Sequence, residues 1–213
     1  AYLQALKLAP DNPETLVNYG SFLLERNVID KAREQLDQAL RIDPDNVGAH
    51  VTLGNLYDRL GDRDNVQTYY DKALLLDPDN STVHCNLGYH CYELGKQPEA
   101  VEHFVHALRV DPNSAKALAG LGKCMLRQDE TAKAVEYIEK ALQLSPWDVH
   151  AHIAKAELDT YQRKPDSAET EWKYAIEHHP GMSDGYIGLA KLYAESGRYE
   201  EARAQFLAAE EHD

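Results

Sequence analysis

Six prolines recur along this chain at a constant spacing. Each lies 34 residues after the one before it, and no insertion changes the spacing. They are Pro10, Pro44, Pro78, Pro112, Pro146 and Pro180. A fixed period of this length is typical of repeat arrays, in which each unit packs mainly on its neighbours along the chain. The sequence therefore predicts one small structural unit repeated six times rather than a single closed core.

Small and large side chains also recur at fixed places within each period. With the proline given position 32, position 8 is always Gly or Ala, and positions 20 and 27 are Ala with the single exception of Val66. Position 24 is large, and it holds Leu36, Tyr70, Phe104, Ile138, Trp172 and Phe206. Small residues that face large ones allow two helices to approach and interlock. We therefore expect two packed amphipathic helices in every repeat.

The segments between these helices carry turn and cap signals. Position 15 is occupied in turn by Asn27, Gly61, Gly95, Asp129, Arg163 and Gly197. Gly readily adopts the left-handed backbone that ends many helices, Asn and Asp tolerate it, and Arg163 fits this place less easily. The proline stops the second helix, and the Asn, Ser or Asp that follows it can cap the next one.

The period of 34, the small residues at positions 8, 20 and 27, the bulky residue at 24 and the proline at 32 resemble the tetratricopeptide repeat (TPR) family. The resemblance covers the entire chain. It implies an all-α, right-handed superhelical solenoid of antiparallel helix pairs, in which the first helix of each pair lines a concave groove. It divides a single solenoid domain into the second helix of a truncated repeat at 1–12 and six repeats at 13–46, 47–80, 81–114, 115–148, 149–182 (divergent) and 183–213 (truncated).

The resemblance also indicates which residues of each first helix face the groove. In repeats three to five these include a candidate partner-binding set: Asn86, Tyr89, Tyr92, Lys116, Lys123, Arg127, His150 and Glu157. Lys116, Lys123 and Arg127 form one cationic stripe in repeat four, and we expect Ala119 and Gly120 beside it to leave room for a ligand. Asn, Tyr and cationic side chains suit an extended acidic peptide or a free C-terminal carboxylate. The alternative is that the cations solvate the groove and pair with Glu93 and Glu157.

The charge balance excludes some classes of partner. The chain has 22 Lys and Arg against 36 Asp and Glu, a net charge of −14, whereas a nucleic-acid binder needs a basic face. No apolar run reaches the roughly 18 residues of a membrane-spanning helix. We therefore expect a soluble protein with a protein or peptide partner, no nucleic acid and no membrane insertion. Only three cysteines are present, which favours the cytoplasm, with the periplasm as an alternative.

Catalytic and metal-binding patterns are weak. The ten histidines invite a metal hypothesis, but no closely spaced Cys/His motif of a zinc site accompanies them. His50, His84 and His152 share position 4, which packs between repeats, so a structural role is the preferred interpretation. We therefore expect no catalytic residues, no metal and no cofactor, and a protein that is not an enzyme.

Three functions are compatible with these sequence features. The first is a non-catalytic protein–protein interaction scaffold or adaptor that binds an extended partner segment in the concave groove. The second is a self-assembling homo-oligomeric scaffold. The third is the recruiting domain of a larger enzyme.

Two local departures from the repeat pattern lead to further expectations. In repeat five, Lys155 and Asp159 occupy interior positions of the first helix, which predicts a one-residue shift of that helix or a hinge, with raised mobility over residues 150–165. Trp147 lies in a loop where Asp or Asn is usual. We expect it to pack across the repeat junction rather than to be displayed to a partner.

Overall fold

The structure, a computed structural model, describes residues 11–212 and the side chains of 11–210. The predicted helix of the truncated repeat, at 1–12, therefore lies almost wholly outside the described residues. Within them the regular elements are twelve α-helices with no strand, so the all-α class of antiparallel helix pairs is confirmed. The helices are α1 (Pro13–Glu25), α2 (Ile29–Ile42), α3 (Val47–Arg59), α4 (Arg63–Leu76), α5 (Ser81–Glu93), α6 (Gln97–Val110), α7 (Ala115–Arg127), α8 (Thr131–Leu144), α9 (Val149–Tyr161), α10 (Pro165–His178), α11 (Ser183–Glu195) and α12 (Tyr199–His212).

The turn within each helix pair has the backbone that the sequence predicts. Position 15 has a positive φ in all six turns, from +56° at Asn27 to +76° at Gly197. Arg163 adopts the same conformation, with φ of +58°, although its Cβ makes left-handed backbone costly. The fold therefore imposes this turn even where the residue opposes it.

The predicted caps between repeats are also present. The side chains of Asn12, Asn46, Asn80, Ser114 and Asp148 each accept a hydrogen bond from the backbone N–H three residues later, at 2.8–3.3 Å. These bonds satisfy amides that have no partner inside the helix.

The chain divides into two compact units, Ala1–Asn86 and Leu87–Asp213. In unit 1, α1 packs against α2 and α3, and α3 packs against α4. Its main core cluster includes Leu23, Leu36, Leu53 and Leu56, and none of these is more than 7% exposed.

Unit 2 contains the end of α5 and all of α6–α12. The first helices of successive repeats are neighbours, since α9 contacts both α7 and α11, and each packs against the second helix of its own pair. The large residues at position 24, Phe104, Ile138 and Trp172, are buried between these helices. This arrangement places one face of α7, α9 and α11 side by side.

Glycines in unit 2 make room for one of these large residues. A Cβ at Gly88 would lie 2.6 Å from the ring of Phe104, and a Cβ at Gly120 would lie 2.3 Å from it. The expectation that Ala119 and Gly120 leave room for a ligand is therefore wrong, because the ring already fills the space at Gly120 and Ala119 is fully buried.

Repeat five keeps its register despite its unusual residues. Lys155 Nζ donates to both carboxylate oxygens of Asp159 at 2.5 Å, and Ser167 Oγ donates to the same carboxylate at 2.7 Å. Ala156, at position 8, is fully buried as its counterparts are. The expected one-residue shift of α9 is therefore wrong, whereas a hinge in this repeat stays a prediction. Raised mobility over 150–165 stays a prediction.

Trp147 does not pack across the repeat junction. Its side chain is 76% exposed, so the expectation of a packed tryptophan is wrong.

The position-4 histidines are structural. A ring nitrogen of His50, His84 and His152 lies 2.9–3.0 Å from the backbone oxygen of the proline six residues earlier. These bonds tie the start of a first helix to the turn before it. Among the described side chains, those of residues 11–210, no group of three or more His, Cys, Asp or Glu is placed to hold a metal ion.

Candidate functional site

A cavity of about 510 Å³ opens on the first helices of unit 2. Its lining comes from the end of α5, from α7, α9 and α11, and from Trp172 on α10. The apolar lining includes Leu126, Ile187, Leu192 and Trp172, and Tyr92 and Tyr161 add aromatic rings. The charged lining residues are Glu93, Lys123, Arg127, Glu157, Asp184, Lys191 and Glu195. Four predicted site residues, Tyr92, Lys123, Arg127 and Glu157, therefore line one cavity.

Lys123 is buried and ion-paired. Its Nζ lies 3.0 Å from Glu157 Oε1, and its side chain is only 8% exposed. The ammonium also lies 4.9 Å from the centre of the Tyr92 ring. Burial alone would lower the pKa of Lys123, but Glu157, Tyr92 and Asp184 raise it above its usual value. Lys123 therefore stays charged, and its charge is already compensated inside the cavity.

Arg127 contacts the end of the preceding first helix. Its Nη1 donates to the backbone oxygen of Tyr92 at 2.8 Å, and its guanidinium lies 3.5 Å from the centre of the Tyr92 ring. In unit 1, Arg59 occupies the same repeat position and donates to the backbone oxygen of Leu24 at 2.6 Å. Carbonyls at helix ends lack intrahelical partners and favour nearby cations. Arg127 therefore has a structural role in addition to any role in binding.

Tyr89, Lys116 and His150 form a second group. Tyr89 donates its hydroxyl hydrogen to the backbone oxygen of Lys116 at 2.9 Å, and its ring lies 5.0 Å from that of His150. The ammonium of Lys116 lies 5.5 Å from the Tyr89 ring centre. Burial, with the charges of Lys116 and Lys123, holds the pKa of His150 well below its usual value. His150 therefore adds no positive charge near neutral pH.

Asn86 belongs to unit 1. Its Nδ2 donates to Asn55 Oδ1 at 2.7 Å, and that oxygen also accepts the hydroxyl of Tyr70 at 2.7 Å. The amide of Asn86 is thus engaged in a buried polar contact of unit 1. The other seven predicted site residues lie in unit 2.

The prediction missed the contribution of repeat six and of Trp172. Gly188 admits the indole ring, since a Cβ there would lie 2.5 Å from three of its atoms. The available signal was the pairing of a large aromatic residue at position 24 with Gly at position 6 of the next repeat. Phe104 with Gly120 shows the same pairing. The charged residues of α11 were recognisable only as groove-facing positions, with nothing in the sequence to mark them as cavity residues.

Two family profiles match the chain. A profile described as the Cilia and flagella-associated protein 70 middle TPR-like domain matches residues 52–211, and a TPR repeat profile matches residues 20–61. No curated protein sequence matches the chain significantly. None of the described helices is both long and apolar enough to span a membrane.

Solved structures with a similar fold have diverse descriptions. Pseudomonas aeruginosa pilF is 23% identical, with 92% of this chain and 89% of that chain covered and a TM-score of 0.64. YrrB, described as a TPR protein with an unusual peptide-binding site, is 19% identical, with 87% and 95% covered and a TM-score of 0.55. The human IFIT1 dimer with PPP-AAAA is 22% identical, with 93% and 50% covered and a TM-score of 0.71. At these identities the similarity shows the fold alone.

The repeat pattern, the helix pairs and the profile matches agree with one another, and the TPR prediction is confirmed. The chain belongs to the TPR proteins, in the family of the Cilia and flagella-associated protein 70 middle TPR-like domain.

Proposed function

We propose that unit 2 is a non-catalytic protein-interaction module that binds an extended segment of a partner protein. The segment lies on the first helices of repeats three to six. The observation that carries the proposal is the cavity of about 510 Å³, because apolar and aromatic walls with a few charged groups are typical of binding sites. The TPR fold is that of protein-interaction scaffolds, and the description of YrrB as peptide-binding supports a peptide ligand.

The reactive side chains of this region favour binding over catalysis. Burial raises the pKa of the Cys91 thiol, and it raises the pKa of Cys124 to about 11. A thiol with a raised pKa is a poor nucleophile near neutral pH. Lys123, the most buried cation of the cavity, is held in an ion pair with Glu157.

A nucleic-acid ligand has weaker support. One similar structure, that of human IFIT1, was determined with PPP-AAAA. In this chain, however, four of the seven charged residues that line the cavity are carboxylates. Carboxylates repel phosphates, so the charge of this cavity favours a protein segment.

Self-assembly is the second candidate. Phe206 and Leu207 on α12 are 41% and 52% exposed, although position 24 is buried in the other described repeats. An exposed apolar pair of this kind favours contact with another surface, which is either the first helix of a following repeat, as at Phe104 and Trp172, or a second copy of the chain. The third candidate, a recruiting domain of a larger enzyme, would bind its partner in the same groove that an adaptor uses. The same experiment therefore tests it.

The proposal is tested by capture of partners from a lysate of the source cells. The groove variant is Lys191→Ala/Glu195→Ala, whose residues are exposed on α11. The matched control is Glu136→Ala/Lys140→Ala, an exposed pair on the second helix α8. Each double variant preserves the net charge. We expect the wild type and the control to capture the same protein and the groove variant to lose it.

Equal capture by all three proteins would contradict the proposal. Light scattering on the purified chain distinguishes self-assembly from binding of another protein. A molecular mass that rises with concentration, together with capture of copies of the chain alone, would favour self-assembly.

A further inference from the structure

The cavity of unit 2 is lined by more negative than positive side chains, and some of these side chains already have a partner. Four carboxylates face three cations. Lys123 is paired with Glu157 at 3.0 Å, and Arg127 donates to the backbone oxygen of Tyr92. The carbonyl partner of Arg127 is neutral and Arg127 is exposed, so among the described residues Lys123 has a compensated charge whereas Arg127 and Lys191 keep theirs. The cationic stripe therefore offers an acidic segment less than its sequence indicates.

Two of the carboxylates are available. Asp184 and Glu195 are exposed on α11, and within the described residues neither forms an ion pair, although the charge of Asp184 contributes to the raised pKa of Lys123. They lie eleven residues apart on one helix, which corresponds to about 16 Å along its axis. One cation cannot contact both, whereas two cations about five residues apart on an extended segment span that distance.

Apolar lining lies between these two carboxylates. Ile187 and Leu192 are on the same helix, and the indole of Trp172, which is 5% exposed, fits against Gly188. Burial of an aliphatic or aromatic side chain here removes apolar surface from water on both partners. The cavity therefore has an apolar centre between two exposed carboxylates, and Lys191 is an exposed cation on the same helix.

The charge of the whole chain acts in the same direction. A net charge of −14 attracts basic segments and repels acidic ones during diffusional encounter. We infer that the segment bound in this cavity is basic, with a large apolar residue between two Lys or Arg residues that lie beside Asp184 and Glu195. This inference rests on the proposed function and specifies the chemistry of its partner.

The test uses Trp172 as the reporter. The chain contains two tryptophans, so Trp147→Phe leaves Trp172 as the only one, at little structural cost because Trp147 is 76% exposed. Three end-blocked decapeptides are titrated into this variant. They share a central Phe, and its two flanking positions, five residues apart, are both Arg, both Gln or both Glu.

We expect the Arg peptide to change the emission of Trp172 and to bind about tenfold more tightly than the Glu peptide at low ionic strength. The double variant Asp184→Asn/Glu195→Gln should lower the affinity for the Arg peptide by about fivefold or more and leave the affinity for the Gln peptide unchanged. The control Glu136→Gln/Glu139→Gln removes the same charge from exposed positions of α8. We expect it to leave the affinity for the Arg peptide within about twofold.

The remaining outcomes distinguish a wrong prediction of the segment's charge from a wrong proposed function. Equal affinity for all three peptides, or tighter binding of the Glu peptide, would overturn the inference and leave the proposed function intact. No change in Trp172 emission with any peptide, while the wild type still captures a partner outside the groove, would contradict the proposed function and the inference with it.

Discussion

Phe104 and Gly120 show how single residues of successive repeats determine each other's size. The ring of Phe104 reaches the first helix of the next repeat, where a Cβ at Gly120 would lie 2.3 Å from it. Trp172 and Gly188 have the same relation, with a corresponding distance of 2.5 Å. A glycine at this place therefore marks a large neighbour rather than an open ligand path.

Gly120→Ala should destabilise unit 2. Ala favours a helix over Gly, but the overlap with Phe104 forces the ring to shift, and we expect a net loss of about 1–3 kcal/mol in the free energy of unfolding. Chemical denaturation measures it. Gly48→Ala is the control: its added Cβ meets nothing closer than 3.4 Å, so it should leave stability unchanged or raise it by up to about 1 kcal/mol. In a Phe104→Leu background, Gly120→Ala should lose most of its destabilising effect. An equal cost of Gly120→Ala in both backgrounds would contradict an overlap with the Phe104 ring.

Arg163 makes the opposite case, because here a glycine is missing where the backbone needs one. Its φ of +58° costs an L residue about 1 kcal/mol. Arg163→Gly should therefore raise the free energy of unfolding by about 0.5–1 kcal/mol, measured by denaturant titration. Arg163→Ala keeps the strained backbone and should give no gain. A gain of equal size in both variants would show that the arginine side chain, and not its backbone, is responsible.

Turns and caps were predictable at this scale because they depend on nearby residues. Asn46 caps α3 through an amide only three residues away, and Gly61 adopts the φ that its turn requires. The fit of Phe104 against Gly120 joins residues of two repeats. Only the assembled helices show which side chain fills that space.

At the scale of the helix, α9 shows why interior polar residues misled the sequence interpretation. Lys155 and Asp159 are four residues apart and therefore share a helix face. The structure pairs them at 2.5 Å and adds a hydrogen bond from Ser167. The pairing satisfies a carboxylate with no solvent exposure, so the helix keeps its register instead of shifting.

The contact between α9 and α10 gives this region a pH dependence. His152 Nδ1 lies 2.5 Å from Glu171 Oε2, and its Nε2 lies 3.0 Å from the backbone oxygen of Pro146. Its ring also stacks on Tyr174, at 3.7 Å between ring centres. Burial acts to lower the pKa of His152, but Glu171, the Pro146 carbonyl and Asp148 raise it above its usual value. A protonated His152 donates to both acceptors, so it favours the folded state.

A raised pKa stabilises the fold at low pH. The contribution is complete below the unfolded value of about 6.5 and is lost as the pH rises through the higher folded value. Glu171→Gln should therefore cost about 1 kcal/mol more at about pH 6 than at about pH 9, measured by denaturation of both proteins across that range. Glu177→Gln, at an exposed position of the same helix, is the control. The comparison between variants is needed because His150, whose pKa is lowered, acts in the opposite direction. A cost of Glu171→Gln that does not change with pH would contradict this account.

At the scale of the whole molecule, the fold was more predictable than the site. The 34-residue period determined which segments are helical, because each repeat has the same turns and packing positions. The site was predictable only in part. Lys123, Arg127 and Glu157 do line the cavity. The sequence did not show that Lys123 pairs with Glu157 or that Trp172 packs against Gly188, because both contacts join residues of different repeats. Those contacts change the expected charge of the ligand.

Occupation of the unit 2 cavity by a partner segment is tested by site-specific photo-cross-linking. A benzophenone amino acid replaces Thr160, which lines the cavity, or Lys140, which is exposed on α8. After irradiation in a lysate of the source cells, mass spectrometry identifies the attached peptides. We expect position 160 to attach one contiguous segment of another protein and position 140 to attach none of it. The same segment attached from both positions, or copies of this chain attached from position 160, would contradict binding of a partner segment in the cavity.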